Sequence, residues 1–400
     1  MKTKKSIALG MFAGTIILAT SCMKDKFDSP STGDKDLVSM INEKGQNPDE
    51  LSLSTENLSS RRKDGHYVYL ESNDSVQNRI LVYEEQNDGS LVADGMTPSG
   101  GKGNGGGLGS QGAVILDENH KWLYAVNAGS NSISSFKVNN DGSLMLKNTV
   151  SSFGIKPVSL CVKKSLLYVV NSGTSNIHGY TVSGNGNMNS ITGSDKLLST
   201  SGAGPAQISF GPNGNWLVVT EKATNKITRF NLNGAGAAGP AIVSTSNGPT
   251  PFGFSFAQDK YMVVSNAAGG AAHAGSCTSY STTGGTFNSL NGIVNNNQSA
   301  PCWVAITNYG RFAFVTNTAS NNISSYYING DGALYLVNGA AATSGAGPID
   351  LVVSSDNKCV YALCGADRTI YQYRRTFLGG ISSNGFIGGL PANAAGLAEY

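Results

Sequence analysis

At 400 residues, with 14% charged residues, 51 glycines and a formal net charge of +2, the chain carries no basic excess of the kind that holds nucleic acid. Its charge content is well under the ~25% of an average domain, yet its Val, Ile, Tyr and Phe clusters recur too regularly for disorder. The length admits two domains or one large all-β domain of short strands and tight turns.

Residues 1–22 read as a targeting segment. Lys2, Lys4 and Lys5 form a basic start, and Ile7 to Leu18 an apolar core too short to span a membrane comfortably. Ala19-Thr-Ser-Cys22 follows the pattern of a bacterial lipobox, so Cys22 is the expected lipidation site. Multiple acyl chains there would anchor the protein to the cell envelope. Met23 argues against retention at the inner membrane, so the outer membrane is expected, on its periplasmic or surface face. Removal of the three lysines takes 28 basic residues to 25 against 26 acidic ones, a balance near −1. Residues 23–64 are polar, lack hydrophobic periodicity and read as a flexible tether.

From residue 65 a strand recurs seven times: Tyr67 to Ser72, Trp122 to Asn127, Leu167 to Asn171, Trp216 to Glu221, Tyr261 to Asn266, Phe312 to Asn317 and Val360 to Cys364. Before five of them stands a short strand opened by proline: Pro157, Pro205, Pro251, Pro301 and Pro348. Proline is tolerated at a strand's first residue because its missing N–H costs least there. A third strand follows, as in Ile133 to Val138, and then a tight hairpin at Asn87 to Gly89, Asn140 to Gly142 or Gly330 to Gly332. A fourth strand completes each unit. The expected fold is therefore all-β: a seven-bladed β-propeller of four-stranded antiparallel blades over residues 65–400. Its first unit lacks an inner strand. Leu390 to Leu397 is expected to supply it and close the ring, with Pro391 in the proline slot and Asn393 two residues on.

The cysteines left after Cys22 are Cys161, Cys277, Cys302, Cys359 and Cys364. No C-x-x-C pair occurs, which disfavours a zinc site of that type. Cys359 and Cys364 stand near opposite ends of one strand, too far apart to bond to each other. With four histidines a His-rich metal site is excluded, whereas a metal held by oxygen ligands is not; the expected site has no metal and no cofactor.

Antiparallel pairing places the starts of inner strands and the ends of second strands on one face, called the top. Candidate residues gather there. Glu221 and Lys222 end the fourth second-strand, where four other copies end in Asn. His273 lies in the long loop from Ala267 to Ser276. The slots two residues after each proline hold Ser159, Gln207, Gly253, Trp303 and Asp350. The run from Gly100 to Gly109 has no following helix, so it reads as a mobile lid or linker rather than a phosphate loop.

The stretch from Gly204 to Glu221, with the repeated Tyr-Val-x-Asn strands, resembles the lactonase family of seven-bladed propellers. Ala300 to Val304 and the closing Leu390 to Leu397 look like an exported bacterial branch of it. The resemblance covers roughly residues 65–400. It implies lactone chemistry by a Glu, a His and Arg at the channel mouth. Glu221 matches the Glu, but Ala206 and Gln207 stand where Arg and His are expected. Gln cannot shuttle a proton near neutral pH, and Ala206 removes a cation that would hold phosphate. The favoured expectation is thus a monomeric, noncatalytic propeller that binds a small molecule, glycan or protein over the central channel through Gln207, Lys222, Trp303 and Asp350. The alternative is a divergent lactone hydrolase or cycloisomerase with Glu221 as base and His273 closing over the site.

Overall fold

The computed structural model describes residues 65–283 and 286–400. The expected signal segment, Cys22 and the tether lie outside the described residues. Seven antiparallel sheets are present among the described residues, each with four strand positions; in six of them the strands follow chain order from the centre outward, and in the other the innermost strand comes from the C-terminus. In the third sheet the outermost position is split into Met188–Ser190 and Lys196–Leu197, both paired with Asn176–Val182. The architecture is the seven-bladed propeller that the repeat implies.

Each blade owes its form to burial. The second strands are covered on both faces, and every residue of Trp216–Glu221, Phe312–Asn317 and Cys359–Cys364 is buried. This is why those segments read as continuous apolar runs instead of alternating ones. The outer strands are half exposed; Ala238–Thr245 buries little beyond its first residue. The five prolines begin inner strands as expected. At the hairpins Gly89, Gly142 and Gly332 have φ of 75°, 74° and 84°, a left-handed conformation that glycine adopts without strain. These hairpins also join neighbouring blades. The buried Tyr69 hydroxyl donates to Gly142 O at 2.9 Å, and that of Tyr361 to Gly89 O at 3.1 Å.

The ring closes through the C-terminus, with a different register from the expected one. The inner strand of the first blade is Ala395–Glu399, paired with His66–Glu71. Ala395 faces Glu71 as Pro205 faces Glu221, so Ala395 and not Pro391 occupies the proline slot. The cause is a turn at Pro391, closed by Ala394 N–H donating to Pro391 O at 3.2 Å. It delays the strand by four residues. Leu397 therefore takes the inner-strand position expected of Asn393.

Among the described residues, Cys161, Cys277, Cys302, Cys359 and Cys364 are buried free thiols.

Candidate functional site

Glu221 does not face the channel. It is fully buried, and its carboxylate accepts from Ser199 N at 3.1 Å, Thr224 Oγ1 at 2.8 Å, Thr228 Oγ1 at 2.5 Å and the Ser199 hydroxyl. The partner Thr228 stands seven residues on, and the same spacing recurs elsewhere in the ring. Asn127 Nδ2 donates to Ser134 Oγ, and Asn317 Nδ2 to Ser324 Oγ, each at 2.8 Å. Glu221 thus performs the capping done by the asparagines, with donor and acceptor exchanged. Nor is it alone. Pairing with Ala395 makes Glu71, not Ser72, the equivalent residue of the first blade. Glu71 accepts from Asn78 Nδ2 at 2.7 Å, again seven residues on. Its Oε1 is buried without a partner, and burial pushes its carboxyl well above the usual range.

Gln207 and Asp350 do share a cavity. It is the central channel, of about 500 Å³, walled by Leu160, Ile208, Val304, Leu351 and Val353 and running down to Asp117, Glu118, His120 and Glu399 at the bottom mouth. Gln207 Oε1 accepts from Phe254 N at 2.7 Å, so it braces the next inner strand. Asp350 is buried, and its Oδ1 accepts from Leu351 N at 2.9 Å. The Leu397 N–H acts on this carboxyl without completing a hydrogen bond, and Oδ2 has no partner. Burial raises its pKa well above the usual range.

The top of the channel is roofed. Gln111 reaches across to a distant blade, donating to Val304 O at 2.8 Å and accepting from Val304 N at 3.2 Å. Trp303 Nε1 donates to Ser110 O at 2.9 Å. The glycine run leads into this roof and is fitted closely in its first part, since a Cβ on Gly103 would meet backbone of Asn73 at 2.1 Å, whereas Gly106 and Gly107 have open space around them. Nothing in the sequence marks Gln111, because the second blade's inner strand has no proline to locate it.

Above the roof lies a second cavity of about 370 Å³, lined by Gly107 to Ser110, Trp303, Ile349, Asn393 and the small residues that follow it. At its edge the Lys222 amine donates to Gly109 O and lies 4.7 Å above the Phe252 ring. Burial lowers its pKa to about 8, which makes it a candidate base. Trp303 packs on the same Phe252 at 4.8 Å between centroids. His273 lines neither cavity. It is exposed, with Nδ1 at 2.9 Å from Asn297 O. The expected site residues are therefore distributed: Gln207 and Asp350 below the roof, Trp303 and Lys222 at it, Glu221 between blades, and His273 on the surface.

A different grouping, absent from the expected site, lies at the bottom face. His66, Glu85 and Glu399 bring one ligand atom each to within 4.8 Å of one another.

Residues 59–197 match the family described as lactonase, 7-bladed beta-propeller. None of the curated proteins matches the sequence. Among solved structures, the chain is similar to a candidate 6-phosphogluconolactonase from Bacteroides uniformis, at 16% identity and TM-score 0.68 over 84% of this chain and 99% of that one. A protein from Lactobacillus plantarum superposes with TM-score 0.70 at 18% identity, over 84% and 99%. A periplasmic gluconolactonase from Pseudomonas aeruginosa does so with TM-score 0.63 at 16% identity, over 83% and 98%. The resemblance to lactonase propellers is thus shown over the matched residues, and the shared fold over most of the chain.

Proposed function

We propose that this lactonase-like propeller binds an uncharged small molecule in the top-face cavity and does not hydrolyse phosphorylated sugar lactones. The observation that carries this reading is the saturation of Glu221 by four donors, which leaves it neither exposed nor free to activate water. Ala206 is buried where the resemblance expects Arg, and Gln207 is engaged by Phe254 N. The cavity above the roof offers backbone groups of glycines and alanines, the Trp303 ring and the Asn393 amide, with no carboxylate among its lining residues. Such a lining suits a neutral ligand with a flat apolar face. The test is incubation with glucono-δ-lactone and with 6-phosphogluconolactone. Hydrolysis at the buffer rate supports the reading; turnover abolished by Glu221→Gln overturns it.

Lactone hydrolysis is the second reading. It is favoured by the lactonase activities named for two of the solved relatives and by the lowered pKa of Lys222 beside the cavity. An amine titrating near pH 8 can act as a general base. This reading requires lactone turnover that Lys222→Met removes and Glu221→Gln spares.

The lipobox supports a further proposal, that Cys22 is acylated and holds the propeller at the envelope. Palmitate labelling lost in Cys22→Ala, with release of the protein from membranes, is the expected result.

A further inference from the structure

We propose that His66, Glu85 and Glu399 form a binding site for a divalent transition ion of the Zn²⁺ type at the bottom of the closing blade. Spacing along the chain gives no hint of it, because the grouping is made only when the C-terminal strand enters the first blade.

The backbone ladder preorganises the three side chains. His66 and Glu85 are direct cross-strand partners, and Glu399 pairs with Val68, two residues along from His66. Side chains two apart on a strand share a face, so all three project from one side of the sheet. They belong to three neighbouring strands, His66–Glu71, Arg79–Glu85 and Ala395–Glu399.

The distances suit a small ion. His66 Nδ1 lies 3.4 Å from Glu399 Oε1. Ligands bound at about 2.1 Å in a tetrahedron are separated by about 3.4 Å. That edge is therefore already set, and small side-chain rotations would bring in Glu85. Ser355 holds the carboxylate in place: its N–H donates to Glu399 Oε2 at 2.7 Å, and its hydroxyl lies 3.2 Å from both Glu399 Oε1 and His66 Nδ1. Such support orients ligands in built metal sites.

Burial and donor type point the same way. Glu85 is 6% exposed and the Glu399 side chain 1%. A divalent ion would take the two carboxylates in their ionised form and the imidazole through a neutral nitrogen. An imidazole nitrogen with two carboxylate oxygens favours Zn²⁺ and its first-row neighbours over Ca²⁺ or Mg²⁺, which prefer all-oxygen shells. Three protein ligands leave one position for water, and Glu399 also borders the channel mouth, which supplies a route of entry. Bound there, the ion would tie the C-terminal strand to the two strands that begin the propeller and resist opening of the ring. This site is on the opposite face from the proposed ligand cavity, so either proposal can fail without the other.

The experiment uses the full-length chain, stripped with a chelator and titrated with ZnCl₂, CoCl₂ or MgCl₂ while melting is followed. Saturable Zn²⁺ binding with a rise in Tm of about 3–5 °C at a hundredfold excess over Kd is expected, with no rise for Mg²⁺. His66→Ala and Glu399→Gln should each weaken binding at least tenfold and remove the tetrahedral Co²⁺ absorption, while His273→Ala changes neither. Should His66→Ala fail to fold, Glu399→Gln and the wild-type Co²⁺ spectrum decide. No saturable Zn²⁺ effect, an equal effect of Mg²⁺, or binding that survives both ligand substitutions overturns the proposal.

Discussion

Glu71 and Glu221 occupy the same register in two blades, at the ends of second strands and opposite the first residue of an inner strand. Their surroundings differ. Glu221 has four donors on its two oxygens, whereas Glu71 has one, from Asn78, and an oxygen with none. The comparison teaches that a carboxylate in this slot is first a cap between blades. What separates the two is how far the neighbouring loop was built to satisfy it. In the fourth blade, Ser199, Thr224 and Thr228 converge on the slot; in the first blade only Asn78 does.

The largest expected effect follows from that difference. Glu221→Leu would leave the buried Thr228 hydroxyl and the half-buried Ser199 N–H, Ser199 hydroxyl and Thr224 hydroxyl without their acceptor. A fully buried orphaned group costs about 1–3 kcal/mol and one that water can reach costs less, so a loss of about 2–4 kcal/mol in chemical denaturation is expected. Glu221→Gln keeps the shape and should cost less than half as much. Equal costs for the two would show that packing, not the hydrogen bonds, holds this slot.

Glu71 sharpens the comparison through pH. Its folded pKa stands well above the unfolded value, so above about pH 4.3 the unfolded chain gives up a proton that the folded state keeps. Stability contributed by this group is full below that pH and is lost as pH rises toward the folded pKa, by at most about 1.4 kcal/mol per unit. Glu71→Gln should flatten the slope between pH 5 and 7. Asp350 and Glu399 shift in the same direction, so part of the slope remains. A slope unchanged by the substitution would mean that Glu71 ionises freely.

How much of this was legible in the sequence follows from the same residues. The blade count was readable because a strand buried on both faces must be apolar throughout, and because proline and glycine mark fixed corners. The phase of the closing blade was not. The turn at Pro391 inserts residues that no periodicity reveals, so alignment of the repeats alone puts Ser72 instead of Glu71 at the end of the first strand. That misphasing made Glu221 look singular. The site was less legible still. Gln207, Trp303 and Asp350 hold the same slot of three inner strands, yet Trp303 is joined to the roof at Ser110 and lines the upper cavity, whereas the other two lie below. A contact spanning 193 residues, such as Gln111 with Val304, leaves no local pattern.

Lys222, one residue beyond Glu221, tests the other side of the strand end. Its amine is depressed to about 8 by burial, against about 10.4 in the unfolded chain. Between those values the unfolded state holds the extra proton, so stability should rise with pH across that interval. Lys222→Met keeps the contact with Phe252 and removes the titration. Melting curves at pH 7.5 and 9.5 should show a rise for the wild type of about 1–2 kcal/mol at most and none for the variant. A rise that persists in Lys222→Met would assign it elsewhere.

Gln111 sets the smallest effect and the most direct test of the roof. Its amide pairs with both backbone groups of Val304, and Gln111→Ala leaves them facing the channel below. Because the channel reaches the bottom mouth and its solvent, water can replace the lost partner, and the cost should stay near 1 kcal/mol. Hydrogen exchange at the Val304 amide should nevertheless accelerate more than at amides of the same inner strand farther from the roof. A local change with little global loss would identify Gln111 as a partition between two cavities. A loss as large as that of Glu221→Leu would instead make it part of the framework, and the cavities above and below it would then have to be treated as one.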